Sequence, residues 1–193
     1  IGAVLLVLSQ GQEWGWQSSD IITVSIVSLV GFILFFYQEQ HTPFPMLDLT
    51  LFKIWPFFAG NLAGLLCFMA MFTNALLLPF YMATILNWPP TQIGLVMTAF
   101  PIVMAVVAPS SGYLSDRVGP IILSTVGLLL VASGLIYTSI FNLDTTMWEI
   151  ILSQAIIGAG SGMFQSPNNS SVMSSVKAHQ LGIAGGINAL MRN

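Results

Sequence analysis

The stretch GYLSDRVGP, residues 112–120, lies between two long apolar runs and decides the expected fold. Its only charges are those of Asp116 and Arg117, and we interpret it as a short polar turn joining two hydrophobic helices at a membrane surface. Gly112 and Gly119 allow a sharp turn or a close backbone approach. We expect Asp116 to accept hydrogen bonds from the free N–H groups that open the second helix. We expect Arg117 to pair with a carboxylate or with helix-end carbonyls.

The composition indicates that the solvent of this chain is a lipid bilayer. Only 6% of the 193 residues are charged, whereas 55% are hydrophobic. Soluble domains carry about 25% charged residues, so this chain has too few to cover a surface in water. The sequence therefore predicts an all-α membrane protein, built as a polytopic helical bundle. The net charge of −3 argues against nucleic acid as a partner.

Five apolar runs are long enough to cross a membrane. The predicted spans are residues 21–37, 55–85, 91–113, 121–141 and a segment within 148–176. Partial spans are expected at residues 1–8 and 181–193, and a tight turn at 87–90. Because the terminal runs are short, we expect the chain to be a piece of a longer protein.

Loop charges predict the orientation, since alternate loops lie on opposite sides of the membrane. Lys53, Arg117 and Lys177 fall on one side, and the loops on the other side carry acidic residues without Lys or Arg. The positive side is expected to be cytoplasmic. The loops at residues 38–53, 115–120 and 177–180 are therefore predicted to be cytoplasmic.

The stretch at 112–120 resembles the loop signature of the major facilitator superfamily, Gly-x-Leu-x-Asp-Arg-x-Gly followed by basic residues. The matching residues are Gly112, Leu114, Asp116, Arg117 and Gly119. Pro120 and Ile121 stand where the family usually has Arg or Lys, as in the weaker copy found in the second half of such transporters. The resemblance implies that the five matching residues form a gating motif.

Further short motifs resemble the EmrB/QacA-type drug:proton antiporters, the fourteen-span branch of that superfamily. These motifs are FPMLDLTLFK at 44–53, LPFY at 78–81, Gly94 with Pro101 and Pro109, and GAGSG at 158–162 with Pro167 and Asn168. The resemblance implies a partial major-facilitator fold. Residues 1–53 would hold the end of one span, one extra span and a cytoplasmic linker, and residues 54–193 an incomplete C-terminal half bundle. Met82 departs from the Gln that this branch often has.

The resemblance implies part of a secondary active transporter in the plasma (inner) membrane. The expected activity is proton-coupled efflux of small amphipathic or drug-like molecules by alternating access. The expected partners are the small-molecule substrate, protons, the lipid bilayer and the missing N-terminal half of the same chain. Two alternatives stay open: a facilitator-family carrier of another small solute, and a structural or channel-forming membrane protein.

Polar residues recur on one face of the predicted helix within 148–176. The set, spaced by four, seven and eleven residues, is Gln154, Gly158, Ser161 and Gln165, with Asn168 close to it. A polar stripe facing lipid is costly, so it should face protein or a water-filled cavity. Helix packing explains the glycines better, since Gly158 and Gly162 form a Gly-x-x-x-Gly contact face. We expect the two glutamines to line a substrate cavity.

The helix at 55–85 adds Asn74 and Tyr81, seven residues apart on one face, as further substrate-binding candidates. For Asn61, which falls on another face, interhelical hydrogen bonding is the expected role. Arg192 is expected well inside the membrane, where a charge is functional by default. An adaptable apolar pocket could be lined by Phe68, Phe72, Met97, Phe100, Met104 and Phe164. Of these we select Phe100 and Phe164, each near a proline.

The sequence contains no motif of an enzyme, and neither a cofactor nor a metal site is expected. Phosphate-cradling loops, zinc-protease motifs and nucleophile elbows are missing from the sequence. Cys67 is expected to be a small buried hydrophobe. No Asp or Glu falls deep within a predicted complete span, so the carboxylates for proton coupling are expected outside this chain.

Overall fold

The computed structural model of the chain describes residues 18–40 and 49–192. The chain divides into two compact units, residues 1–48 and 49–193. The partial span expected at 1–8, and most of the linker motif at 44–53, lie outside the described residues. In the first unit, helix α1 covers Ser19–Gln40 and contains the predicted run at 21–37. Its 22 residues extend about 33 Å, the thickness of a bilayer core.

The second unit begins with a 3₁₀ helix, Leu49–Lys53, that packs against the start of the first long helix. Leu51 is fully buried, and the Phe52 ring meets the Phe57 ring edge to face at 5.6 Å. Helix α2 then covers Trp55–Thr84, with a proline in its first turn and Pro79 inside it. The predicted span at 55–85 is confirmed.

The predicted span at 91–113 is divided into two helices in the structure. Helix α3 covers Pro90–Met97, and helix α4 covers Ala99–Val118. The break at Thr98 follows from Pro101, which has no N–H to donate to the carbonyl of Met97. The turn before α3 is confirmed, and Asn87 in it has a positive φ of 56°.

The expected polar turn at 112–120 is almost entirely helical, and this corrects the sequence prediction. Helix α4 continues through Asp116 and Arg117 to Val118, and helix α5, Pro120–Ser139, starts after Gly119 alone. Gly119 has φ 99°, a conformation that glycine adopts without strain. No side chain caps the start of α5, so the expected capping role of Asp116 is wrong.

Helix α6, Met147–Ser174, occupies the centre of the second unit. Thr146 and Glu149 cap its start reciprocally, in a capping box. It packs most extensively against α5 and α4, and less against α2. A short 3₁₀ helix, Ala178–Gln180, leads to helix α7, Leu181–Leu190. Arg192 lies in the turn after α7, outside the helix expected there.

Glycines of α6 set its distance from both neighbours. A Cβ on Gly158 would lie 2.5 Å from the Phe100 carbonyl oxygen of α4, and one on Gly160 would lie 2.6 Å from the Val131 nitrogen of α5. Gly162 is similarly close to the backbone of α4 at Ala108, with a Cβ distance of 3.1 Å. The prediction that Gly158 and Gly162 serve helix packing is confirmed.

Within the described residues, three helical segments are long and apolar enough to cross a membrane, fewer than the five predicted. They are Trp55–Thr84, Pro90–Val118 and Pro120–Ser139. Helix α6 has sufficient length, with 28 residues, but it is less apolar. The central position of α6 explains its lower hydropathy, because Ser153, Gln154 and Ser161 are buried against protein. In α1 the apolar stretch found among the described residues is the shorter Ile22–Gly31. Large apolar side chains on the outer helices are exposed, as expected of a surface in contact with lipid.

Candidate functional site

A cavity of about 480 Å³ lies between α2, α3, α4, α6 and the turn after α7. This size is within the range of small-molecule pockets. We call it the central cavity, and it is lined by Leu65, Phe68, Met69, Met71, Phe72, Asn74, Ala75, Met97, Phe100, Gln154, Ile157, Met191 and Arg192. Apolar side chains dominate the lining, and its polar side chains belong to Asn74, Gln154 and Arg192.

Two amide side chains connect α2 and α6 across this cavity. The Asn74 Nδ2 donates to the Gln154 Oε1 at 3.2 Å. Gln154 is only 1% exposed, and its Nε2 has no hydrogen-bond partner among the described residues. A buried donor without an acceptor costs about 1–3 kcal/mol. A ligand that supplies an acceptor would remove this cost.

The amide pair lies away from the nearer ends of its two helices. Gln154 follows the first residue of α6 by seven residues, or about 10 Å at 1.5 Å per residue. Asn74 precedes the last residue of α2 by ten residues, or about 15 Å. If the helix ends lie near the membrane surfaces, both amides fall inside a hydrocarbon core of about 30 Å.

The predicted apolar pocket agrees in part with the lining of the central cavity. Phe68, Phe72, Met97 and Phe100 line it, whereas Met104 does not. Phe164 instead packs in a buried cluster with Cys67, Val131 and Ile157. Sequence reasoning missed the remaining apolar lining residues. The recurrence of large apolar residues at 65, 68, 69 and 72, on one side of α2, was the available signal.

The polar stripe on α6 does not line a single cavity. Ser161 is buried, and its hydroxyl donates to the Ile157 carbonyl oxygen at 2.7 Å. Gln165 and Asn168 lie at a much smaller cavity, of about 10 Å³. The eleven residues from Gln154 to Gln165 extend about 16 Å, so successive turns of α6 meet different neighbours.

Around this smaller cavity, amide side chains connect α6 to α2 and α7. The Asn168 Nδ2 donates to the Gly60 carbonyl oxygen at 3.1 Å. The Asn188 Nδ2 of α7 donates to the Asn169 Oδ1 at 2.5 Å. Arg192 lines both this cavity and the central one.

Two further polar residues of α2, Tyr81 and Asn61, make their hydrogen bonds elsewhere. The Tyr81 hydroxyl donates to the Asn142 carbonyl oxygen at 2.5 Å. Tyr81 lines a third cavity, of about 470 Å³, and shares that lining with Asn74. The Asn61 Nδ2 donates to the Phe57 carbonyl oxygen of its own helix at 2.8 Å, so the expected interhelical bond is wrong.

Four residues of the expected gating motif lie in the last two turns of α4, and Gly119 follows the helix. Leu114, Asp116 and Arg117 are exposed. The Arg117 guanidinium lies over the Tyr113 ring, 4.7 Å from its centroid, and donates to the Tyr113 hydroxyl. This contact replaces the expected pairing of Arg117 with a carboxylate or with helix-end carbonyls.

Two other residues of this segment face α6. An ideal Cβ on Gly112 would lie 3.5 Å from the Ser166 hydroxyl oxygen, and the Ser111 hydroxyl donates to the Gly162 carbonyl oxygen at 2.7 Å. One side of the motif therefore packs against α6, while the Asp116 and Arg117 side chains are exposed.

No buried Asp or Glu occurs among the residues that the structure describes. Their buried polar side chains all belong to Asn, Gln, Ser and Thr. The side chains of residues 19–21 and 38–40 are not included here, and the expectation that the proton-coupling carboxylates lie outside this chain stays a prediction. Arg192 is the charged residue in the lining of the central cavity.

Comparison with known proteins agrees with this architecture. The sequence model of the Major Facilitator Superfamily matches residues 1–193. The chain is 33% identical to "Riboflavin transporter RibZ" of Clostridioides difficile (strain 630), over 88% of this chain and 37% of that protein. It is 34% identical to "Uncharacterized transporter YebQ" of Escherichia coli (strain K12), over 89% of this chain and 38% of that protein. It is 27% identical to "Multidrug resistance protein Stp" of Mycobacterium tuberculosis (strain CDC 1551 / Oshkosh), over 100% of this chain and 36% of that protein.

This chain belongs to the Major Facilitator Superfamily, a family of membrane transporters. It is an integral membrane protein with part of the helical bundle of that fold. The chain spans less than two fifths of the length of the curated relatives that it matches.

Proposed function

We propose that this chain supplies part of the translocation path of a secondary active transporter, which exports small amphipathic or drug-like molecules by alternating access. The central cavity carries the proposal, because it combines an apolar, aromatic and methionine-rich wall with a few convergent polar groups. The Gln154 Nε2, which has no partner among the described residues, supports it further, since a bound molecule with an acceptor would satisfy this buried donor.

The path in such transporters lies between two bundles that rock against each other around a site near the membrane midplane. The described part of residues 49–193 forms one bundle, with the central cavity at that depth. Asn74, Gln154 and Phe100 are the substrate-binding candidates that this cavity brings together. For Ser161, Gln165, Asn168, Tyr81 and Phe164 the surroundings favour structural roles.

The proposal also includes the coupling of export to the movement of protons. The described buried residues offer no carboxylate, and amides do not titrate near pH 7. Carboxylates that exchange protons would then lie elsewhere in the longer protein. We further propose that the exposed Asp116 and Arg117 face the cytoplasm of the plasma membrane and act in gating.

A transport assay on the full-length protein tests this function. Everted membrane vesicles are energised with a proton gradient, and uptake of a panel of amphipathic fluorescent compounds is followed with and without a protonophore. Uptake of several compounds that stops on addition of the protonophore is the expected result. Uptake that persists without any gradient, or no uptake of any compound by well-folded protein, would contradict export driven by protons.

A second candidate is a carrier for one particular small solute, and the similarity to a protein named as a riboflavin transporter favours it. The same vesicles separate the two candidates. An exporter of drug-like molecules accepts chemically diverse compounds, whereas a dedicated carrier transports riboflavin or another single solute and rejects the rest of the panel.

A further inference from the structure

A site for cations offers negative charge or hydrogen-bond acceptors. The central cavity instead offers a positive charge and a free hydrogen-bond donor. Arg192 lines the cavity, and its guanidinium makes no ion pair with any described residue. The other free polar donor in the lining is the Gln154 Nε2. No Asp or Glu is among the lining residues of this cavity. We propose that the cavity selects flat amphipathic ligands that carry an anionic group, with aromatic carboxylates as the representative class.

This inference rests on the proposed function, since it names the substrate class of the same site. Charge is the first support. A guanidinium presents its donors in a planar fork that matches a carboxylate, and such charge-assisted hydrogen bonds are stronger than neutral ones. Arg192 is exposed as well as lining the cavity, and its charge repels a cationic ligand bound beside it.

The wall of the cavity supplies the second support. Phe68, Phe72 and Phe100 present aromatic surface to a ligand, and Met69, Met71 and Met97 supply flexible, polarisable surface. This lining suits a planar apolar body. Phenyl rings also attract cations through their faces. The full charge of Arg192 acts over a longer range than a ring quadrupole, so the anion is favoured.

The amide pair gives the third support. The Gln154 Oε1 already accepts from Asn74, so this amide offers a ligand its free Nε2 donor. An anion or a strong acceptor offers hydrogen-bond acceptors of the kind that Arg192 and this buried donor need. A quaternary ammonium satisfies neither, because it can accept no hydrogen bond.

Equilibrium binding to the purified full-length transporter tests the inference with three probes that share one aromatic body. They are pyrenebutyrate, the neutral pyrenebutanol and a pyrenebutyl trimethylammonium salt. We expect the carboxylate to bind at least about tenfold more tightly than the cation, a difference of about 1.4 kcal/mol. Arg192→Gln should weaken the carboxylate about tenfold and change the affinity for the alcohol less than twofold.

Two further variants keep the test independent of folding. Arg192→Lys retains the charge and should retain most of the preference for the carboxylate. Lys177→Gln removes an exposed cation that does not line the cavity, and should leave all three affinities unchanged. Each variant is first checked for a monodisperse gel-filtration profile.

Failure of this inference is distinguishable from failure of the proposed function. Equal or tighter binding of the cation by the unaltered protein would overturn the anion preference, as would equal weakening of all three probes by Arg192→Gln. If exported compounds bind while no pyrene probe does, the substrate class is wrong and export still stands. If the vesicles export nothing, the proposed function itself fails.

Discussion

Asn74 and Gln154, eighty residues apart in the chain, are joined by a hydrogen bond of 3.2 Å across the central cavity. The bond leaves the Gln154 Nε2 without a partner in a residue that is 1% exposed. Asn74 also lines the third cavity, so its side chain borders two apolar cavities. A ligand that bonds to Gln154 therefore affects the contact between α2 and α6.

Gln154→Ala is expected to weaken binding of exported compounds, since it removes a buried donor that faces the cavity. The expected loss is about 0.5–1.5 kcal/mol, or roughly 2- to 13-fold in affinity. Gln165→Ala is the matched control, because Gln165 lines a different and much smaller cavity. Dissociation constants measured on the full-length protein check this. Equal losses in the two variants would show that Gln154 has no special contact with the ligand.

Asp116→Asn is expected to reduce transport without reducing the amount of folded protein. Asp116 is an exposed carboxylate in the last turn of α4, where negative charge is unfavourable by about 0.3–1 kcal/mol. Its removal should leave the helix as stable or slightly more stable. Asp144→Asn, in the exposed loop before α6, is the control. Transport rate per folded molecule is the measurement, and a rate equal to that of the control would exclude a gating role.

Gly160→Ala is expected to destabilise the protein, because its Cβ would lie 2.6 Å from the Val131 nitrogen. Overpacking of this kind costs about 1–3 kcal/mol, and backbone atoms cannot move aside as a side chain can. Gly94→Ala is the control, since nothing lies within 4 Å of its Cβ position. The Tm of the purified full-length protein should fall in the first variant only. A similar Tm in both would mean that α5 and α6 do not approach as closely as described.

Single cysteines at Val118 and Leu143 test the predicted orientation. Both positions are exposed, at 46% and 76%, whereas Ser115 and Thr145 in the same two regions are buried and unsuitable for labelling. In a cysteine-free form of the full-length protein, Val118→Cys should react only with reagent delivered from the cytoplasm. Leu143→Cys should react in intact cells with an impermeant maleimide. The reverse pattern would invert the topology.

The fold was largely predictable from the sequence, because long apolar runs in a chain so poor in charge have few structural solutions. The errors are local. The helical path through Asp116 and Arg117 was missed because polar residues in a short segment resemble a turn, although Gly119 alone turns the chain. The break at Thr98 depends on a proline three residues later, which a hydropathy pattern does not weigh.

The site was predictable only in part, because a shared helix face does not indicate which neighbouring helix each turn contacts. Asn74, Gln154 and Phe100 were chosen from sequence, and the structure brings them to one cavity. Ser161 and Gln165 share their helix face with Gln154 but contact other surroundings. Arg192 was singled out for its charge, while its place beside the aromatic wall required the three-dimensional arrangement.

Photo-crosslinking at two phenylalanines of α2 tests most directly whether the central cavity holds the transported molecule. Phe72 lines the cavity, whereas Phe80, also exposed and on the same helix, does not. Benzoylphenylalanine is placed at either position in the full-length transporter, and a radiolabelled exported compound is added before illumination. We expect covalent labelling at Phe72 that excess unlabelled compound abolishes, and little at Phe80. Equal labelling at both positions, or labelling at Phe72 that resists competition, would contradict a binding site in this cavity.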